Sequence, residues 1–116
     1  MSAASRKGAS FERLMADCLA AELDDDRIDR RVKHGVNDRG DLAGLRVHGQ
    51  RVVAECKNQK RLTLAEWVDE AEVERGNDDA LVGLVLHKRR GKGDPLDQYV
   101  TTTVRDLIAL LTGERP

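Results

Sequence analysis

Four residues stand out by type and spacing: Glu12, Asp41, and the pair Glu55 and Lys57 either side of Cys56. Glu55 lies near the end of the run Arg51-Val52-Val53-Ala54-Glu55-Cys56-Lys57, which reads as a buried strand. Side chains two apart on a strand share a face. Glu55 and Lys57 therefore project together, while Val52, Ala54 and Cys56 face the other way. A carboxylate and an ammonium ending an apolar strand are costly to bury unless paired or bound to a metal. With Asp41 added from the preceding strand, the chain has two oxygen donors for Mg²⁺ beside an amine. That set is equipped for work at a phosphodiester.

The elements around these residues set whether they meet. Residues 41–47 read as a strand, His48-Gly49-Gln50 as a short turn, and residues 51–57 as the returning strand. So short a link makes a hairpin. Antiparallel pairing then brings Asp41, at the start of one arm, level with Glu55, near the end of the other. Upstream, residues 1–9 read as a mobile basic arm, and Ser10 as the N-cap of a first helix. Phe11, Leu14, Met15, Cys18, Leu19 and Leu23 fall at helical spacing. Glu12 sits about 100° round that helix from Phe11 and can look toward the protein.

A first strand is expected over residues 28–33, at an edge of the sheet, followed by a loop over residues 34–40. Downstream, residues 58–62 form a basic loop. Thr63-Leu64-Ala65-Glu66 has the capping-box pattern, and Leu64, Trp67, Val68 and Ala71 give a second helix its apolar stripe; Gly76 and Asn77 end it. Residues 80–87 are continuously apolar, as for a strand covered on both faces. Residues 88–95 form a basic, glycine-rich loop expected to be mobile, and residues 98–103 a β-branched strand. Val104, Leu107, Ile108 and Leu111 mark a last helix closed by Gly113. The order α-β-β-β-α-β-β-α implies an α/β fold, a central mixed β-sheet flanked by helices.

With 116 residues the chain has room for one small domain. Its three aromatics, Phe11, Trp67 and Tyr99, argue against a base-stacking platform for single strands. Net charge is −1, so bulk charge does not announce a nucleic-acid binder, but its distribution is uneven. Basic residues gather at Arg6-Lys7, Arg30-Arg31 with Lys33, Lys57 with Lys60-Arg61, and Lys88-Arg89-Arg90 with Lys92; acidic ones gather at Asp24-Asp25-Asp26 and from Glu66 to Asp79. Segregated charge can give a nearly neutral protein one positive face, although any single run also reads as ordinary solvated surface. Cys18 and Cys56 read as reduced core residues, and no Cys/His spacing fits zinc. With neither a signal core nor a membrane-length apolar run, the expected location is cytoplasmic.

The order of elements, with Asp and Glu-x-Lys on a hairpin, resembles the PD-(D/E)XK nucleases. Within that superfamily it looks most like the small archaeal-type Holliday junction resolvases, often carried by phages. Their opening basic-Gly-polar-aromatic-Glu-Arg segment is matched by Arg6-Lys7-Gly8-Ala9-Ser10-Phe11-Glu12-Arg13; their first acid by Gly40-Asp41-Leu42; their second acid and lysine by Glu55-Cys56-Lys57. The resemblance covers residue 6 to about residue 87. Gly40 stands where the family carries proline, and the chain is less basic than a resolvase.

The resemblance implies a restriction-endonuclease-like core and a Mg²⁺-dependent endonuclease, with Mn²⁺ as a substitute, acting in DNA recombination or repair. Asp41, Glu55 and the Cys56 backbone carbonyl would hold the metal. Lys57 would orient the attacking water or steady the transition-state charge, and Glu12 would complete the site. Arg6, Lys7, Arg13, Lys60 and Arg61 are the implied phosphate contacts. A homodimer is implied too, because symmetric cutting of a junction needs two sites about a two-fold axis. No organic cofactor or membrane partner is expected.

Other readings stay open. Asp41 also reads as a turn residue opening a strand, Glu55 with Lys57 as a surface ion pair, and Glu12 as a favourable acid in a first helical turn. Asp38 is the second choice for Asp41, and His34 lies near the site. A nuclease of the same fold acting on other DNA, or a non-catalytic DNA-binding protein, would carry the same pattern.

Overall fold

The computed structural model describes residues 2–32 and 37–116; Lys33 and His34, singled out above, lie outside them. Among the described residues there are three α-helices and six strands, with a short 3-10 turn at Pro95–Asp97. In chain order they are α1 (Ala3–Glu22), β1 (Asp29–Arg30), β2 (Leu42–Ala43), β3 (Arg46–Val47), β4 (Gln50–Lys57), α2 (Leu64–Asn77), β5 (Val82–His87), β6 (Tyr99–Thr101) and α3 (Val104–Thr112). The sheet runs β1-β2-β4-β5-β6, with β3 pairing β4 beyond β2. β4 and β5 are parallel from Val52↔Val82 to Lys57↔His87, and the other pairs are antiparallel. This is the expected mixed sheet flanked by helices. No described helix is long and apolar enough to cross a membrane.

β4 and β5 form because valine-rich runs favour extended backbone, and helices cover both of their faces. On one face Val52, Ala54, Leu42 and Leu86 pack with Phe11, Met15 and Ala16 of α1. On the other, Val85 packs with Trp67 and Ala71 of α2. α2 comes so close that a Cβ at Gly83 would sit 2.8 Å from the Ala71 carbonyl oxygen.

Several local expectations are corrected. α1 starts at Ala3, not after Ser10, because the Ser2 hydroxyl accepts from the Ser5 N–H at 3.1 Å and caps the helix there. Residues 3–9 thus belong to the helix rather than to an arm. The strand expected over residues 41–47 is broken in two at Gly44. There φ is +89° and a Cβ would lie 2.4 Å from the Arg27 carbonyl oxygen. Thr63 makes no side-chain cap bond; its φ/ψ of −119°/63° lies outside the extended region that capping residues use. The 88–95 loop is tied down by Gln98, whose amide bonds the Lys92 and Asp94 carbonyls while its Oε1 accepts from Arg89 N–H.

The last helix forms where Val104, Leu107, Ile108 and Leu111 mark it, as α3 closed by Gly113, and it turns those four residues outward. The helix is oriented instead by buried Asp106, whose Oδ2 accepts from the Gly83 N–H at 2.8 Å, where β5 extends past β6. At its other end His48 bonds the Leu110 carbonyl and Gln50 the Gly113 carbonyl.

Candidate functional site

The site grows from the alternation of β4. Val52 and Ala54 enter the α1-side core, so Val53, Glu55 and Lys57 point to α2. Leu42 is level with Ala54, so Asp41 continues the ladder beside Glu55 on that same side. Asp41 N–H donates to the Ala54 carbonyl at 2.9 Å, and Asp41 Oδ2 accepts from Cys56 N–H at 2.7 Å. One short acid thus pairs with the strand both as backbone and as side chain. In a strand the N–H and C=O of one residue leave on the same side. The Cys56 carbonyl is therefore directed to the edge that Asp41 occupies. Asp41 and Glu55 are both buried.

Glu55 does not stand with Asp41 alone. Asp38, Glu55 and Glu74 each bring a carboxylate oxygen within 4.8 Å of the others. That separation is near the span of one ion's coordination sphere, about 4.2 Å across for Mg²⁺ and about 5 Å for Ca²⁺. Asp38 is set by its own turn, its Oδ1 accepting from Gly40 N–H at 2.9 Å. The Asn77 amide bonds the Asp38 carbonyl at 2.8 Å and pins that turn to the end of α2. Gly40 has φ +94°, and a Cβ there would meet Val53 at 2.9 Å and the Ala54 carbonyl at 3.0 Å. Proline cannot adopt that angle, and any side chain would crowd Val53, so this loop needs glycine at position 40.

Asp38 was the second choice in sequence; Glu74 was missed altogether. Its signal was present: Trp67, Ala71 and Glu74, the buried residues of α2, stand at i, i+4 and i+7, a single helical face. An acid on an apolar stripe is itself the flag.

Lys57 is largely buried and reaches across to α2, where its Nζ bonds Glu70 Oε2 at 2.7 Å. Beside it in register lies His87, between the Trp67 and Tyr99 rings with centroids 5.4 Å away on either side. His87 Nε2 bonds Thr101 Oγ1 at 2.7 Å, and burial pushes the imidazole pKa down. Further along, Arg31 and Arg51 converge on buried Asp78, with Arg51 Nε 3.4 Å from its Oδ2.

Glu12 is held elsewhere. It rides on α1, in the other layer, and accepts from Arg30 at 3.4 Å. Arg13 is engaged by Asp17 and Asp29 at 3.1 and 2.9 Å, and these hydrogen bonds, Asp17 first, push its pKa up. Arg6 and Lys7 lie on the first turns of α1. Lys60 and Arg61 are exposed just past the end of β4. Arg90 bonds Asn58 at 3.2 Å and clips the basic loop after β5 to this one. Two basic loops therefore meet at the carboxyl ends of two parallel strands, the position where open α/β sheets bind ligands.

Asp38 and Glu74 also line a groove of ≈ 470 Å³ with Glu66, Asp69, Glu70, Val73 and Asn77. This half of the site attracts cations and the loop half attracts anions. Comparison with family models, with curated proteins and with solved structures returned no match to this chain.

Proposed function

We propose that the chain is a Mg²⁺-dependent DNA endonuclease of the PD-(D/E)XK type, resolvase-like in substrate and working as a homodimer. The observation that carries this reading is the convergence on Glu55. Two further carboxylates lie within one ion's span of it, and Lys57 leads from it into the clipped basic loops. Asp38, Glu55 and Glu74 would hold the metal, with Asp41 adjoining. A bound Mg²⁺ would supply Lewis-acid polarisation of the phosphate and a lowered pKa for water. Lys57 places positive charge where negative charge develops on the phosphate. Lys60, Arg61, Arg89 and Arg90 position the backbone without reading sequence. Glu12 and Arg13, each ion-paired, are assigned smaller roles than the resemblance implies.

The test is incubation with a four-way junction and with matched linear duplex, each in Mg²⁺ and in EDTA. Cutting of the junction alone, in metal alone, is the expected result. Equal cutting of both DNAs keeps the nuclease and moves it to a repair or restriction type. A second reading, a non-catalytic protein that keeps the fold, is favoured by the acidic groove wall, which repels phosphate. It predicts no metal-dependent cutting by the wild type, whereas the nuclease reading predicts that Glu55→Ala abolishes cutting and retains DNA binding.

A further inference from the structure

Beside the acid site runs a row of rings that the metal chemistry does not use. Lys57, His87 and Tyr99 stand in register across β4, β5 and β6, and residues in register share a face of the sheet. The Trp67 and His87 ring centroids lie 5.4 Å apart, as do those of His87 and Tyr99. The guanidinium carbon of Arg89 lies over Tyr99, 5.4 Å from the ring centroid. The row passes from core to solvent: Trp67 and His87 are buried, whereas Tyr99 is 46% exposed. The outer pair is fixed from both sides. Gln98, next to Tyr99, accepts from the Arg89 N–H at 2.8 Å. His87 is held through Nε2 by Thr101. Its Nδ1 has no hydrogen-bond partner among the described residues, so the imidazole meets Tyr99 as a ring. A ring and a guanidinium already ordered lose little freedom when a ligand arrives.

We infer that Tyr99 and Arg89 form a stacking site for one unpaired base of the bound DNA, and so set which DNA is preferred. The inference rests on the nuclease reading above. Bases stack on aromatic rings and on guanidinium planes alike. Three aromatics are too few for a platform that tracks a strand, but one base needs only one ring. The surroundings suit a nucleotide. Lys88, Arg90 and Lys92 flank the pair in sequence, and the Arg90–Asn58 bond brings Lys60 and Arg61 to the same end of the sheet. Asp94, the one acid of residues 88–96, is turned to its own backbone and accepts from the Leu96 N–H. Arg89 can stack through its plane and donate to phosphate through its edge. Position decides which base is met. Two strand spacings, about 10 Å, separate Tyr99 from Lys57. That is a few nucleotides along a stacked strand, at about 3.4 Å each. Inside a duplex each base already has a neighbour on both faces, and exposing one means flipping it out at a cost. A base at a branch, flap or end has a face to spare. Tyr99 therefore favours DNA that is discontinuous close to the cut.

The experiment is fluorescence binding of the full chain, in EDTA and in Ca²⁺, on DNA verified intact afterwards. The two ligands are a blunt duplex and the same duplex carrying a short single-stranded flap, with 2-aminopurine as the first unpaired base. The wild type is expected to bind the flapped DNA more tightly and to quench the 2-aminopurine. Tyr99→Ala is expected to lower flap affinity roughly 10-fold, to leave duplex affinity unchanged and to abolish the quenching. Tyr99→Phe is expected to keep the preference and the quenching. Arg89→Lys, which keeps the charge and loses the plane, is expected to weaken the preference. Equal affinity of the wild type for the two DNAs, or a Tyr99→Ala variant that loses nothing or loses equally on both, overturns the inference and leaves the nuclease reading standing. A wild type that binds neither DNA overturns both.

Discussion

The two faces of β4 are built on opposite principles. Toward α1, Val52, Ala54 and Cys56 enter a dry cluster with Phe11, Met15 and Leu42. Toward α2, the same eight residues supply Val53, Glu55 and Lys57, and α2 answers with Glu70 and Glu74 beside Trp67 and Ala71. One face lowers free energy by removing carbon from water. The other gathers carboxylates that repel each other once desolvated. A fold keeps such a cluster only by offsetting it elsewhere, and the dry face is where that stability comes from. The difference separates carbon that holds the fold from the charged groups on the opposite face of the same strand.

That contrast can be broken in four ways, from the largest expected effect to the smallest. Glu55→Gln should cut metal-dependent cleavage by more than the roughly 10–100-fold that outer metal partners cost. Cleavage kinetics of the wild type and the variant, both shown folded by circular dichroism, check it, and an unchanged rate would contradict the contrast. Leu42→Ala, fully buried on the dry face, should lose about 2–5 kcal/mol in urea unfolding while the surviving folded fraction keeps its metal affinity. Gly40→Ala forces a side chain into φ +94° against Val53. It should cost about 1–3 kcal/mol and weaken metal binding as well, since Asp38 and Asp41 flank that turn.

His87 provides the smallest effect. Burial lowers its folded pKa below the ordinary 6.5, so the unfolded chain binds the extra proton more readily. Its contribution to stability is full above pH 6.5 and is lost as pH falls through the folded value. Urea midpoints between pH 7.5 and 5.5 should decline in the wild type and decline less in His87→Phe.

The sequence made β4 and β5 readable because their valine runs have one good conformation, and strand alternation alone put Glu55 and Lys57 on one side. The hairpin register added Asp41. Asp38 and Glu74 could not be read with equal force. Asp38 depends on a turn made by Gly40 and a bond from Asn77, 39 residues away. Glu74 was hidden in a helix whose many acids looked like solvated surface. The orientation of α3 was not legible, because its strongest periodic stripe is the outward one. A single buried acid, Asp106, decided which side faced in, and periodicity gives no weight to a hydrogen bond with Gly83. Ser2 as the cap of α1 was overlooked for a similar reason, because Ser10 sat nearer the apolar pattern.

The most direct measurement is a Mn²⁺ titration followed by electron paramagnetic resonance on the wild type and on Glu55→Gln, both shown folded by circular dichroism. A carboxylate centre at Glu55 predicts that the wild type removes free Mn²⁺ signal at micromolar to submillimolar metal and that the variant does not. Equal uptake by the two proteins, or none by either at millimolar Mn²⁺, would contradict it.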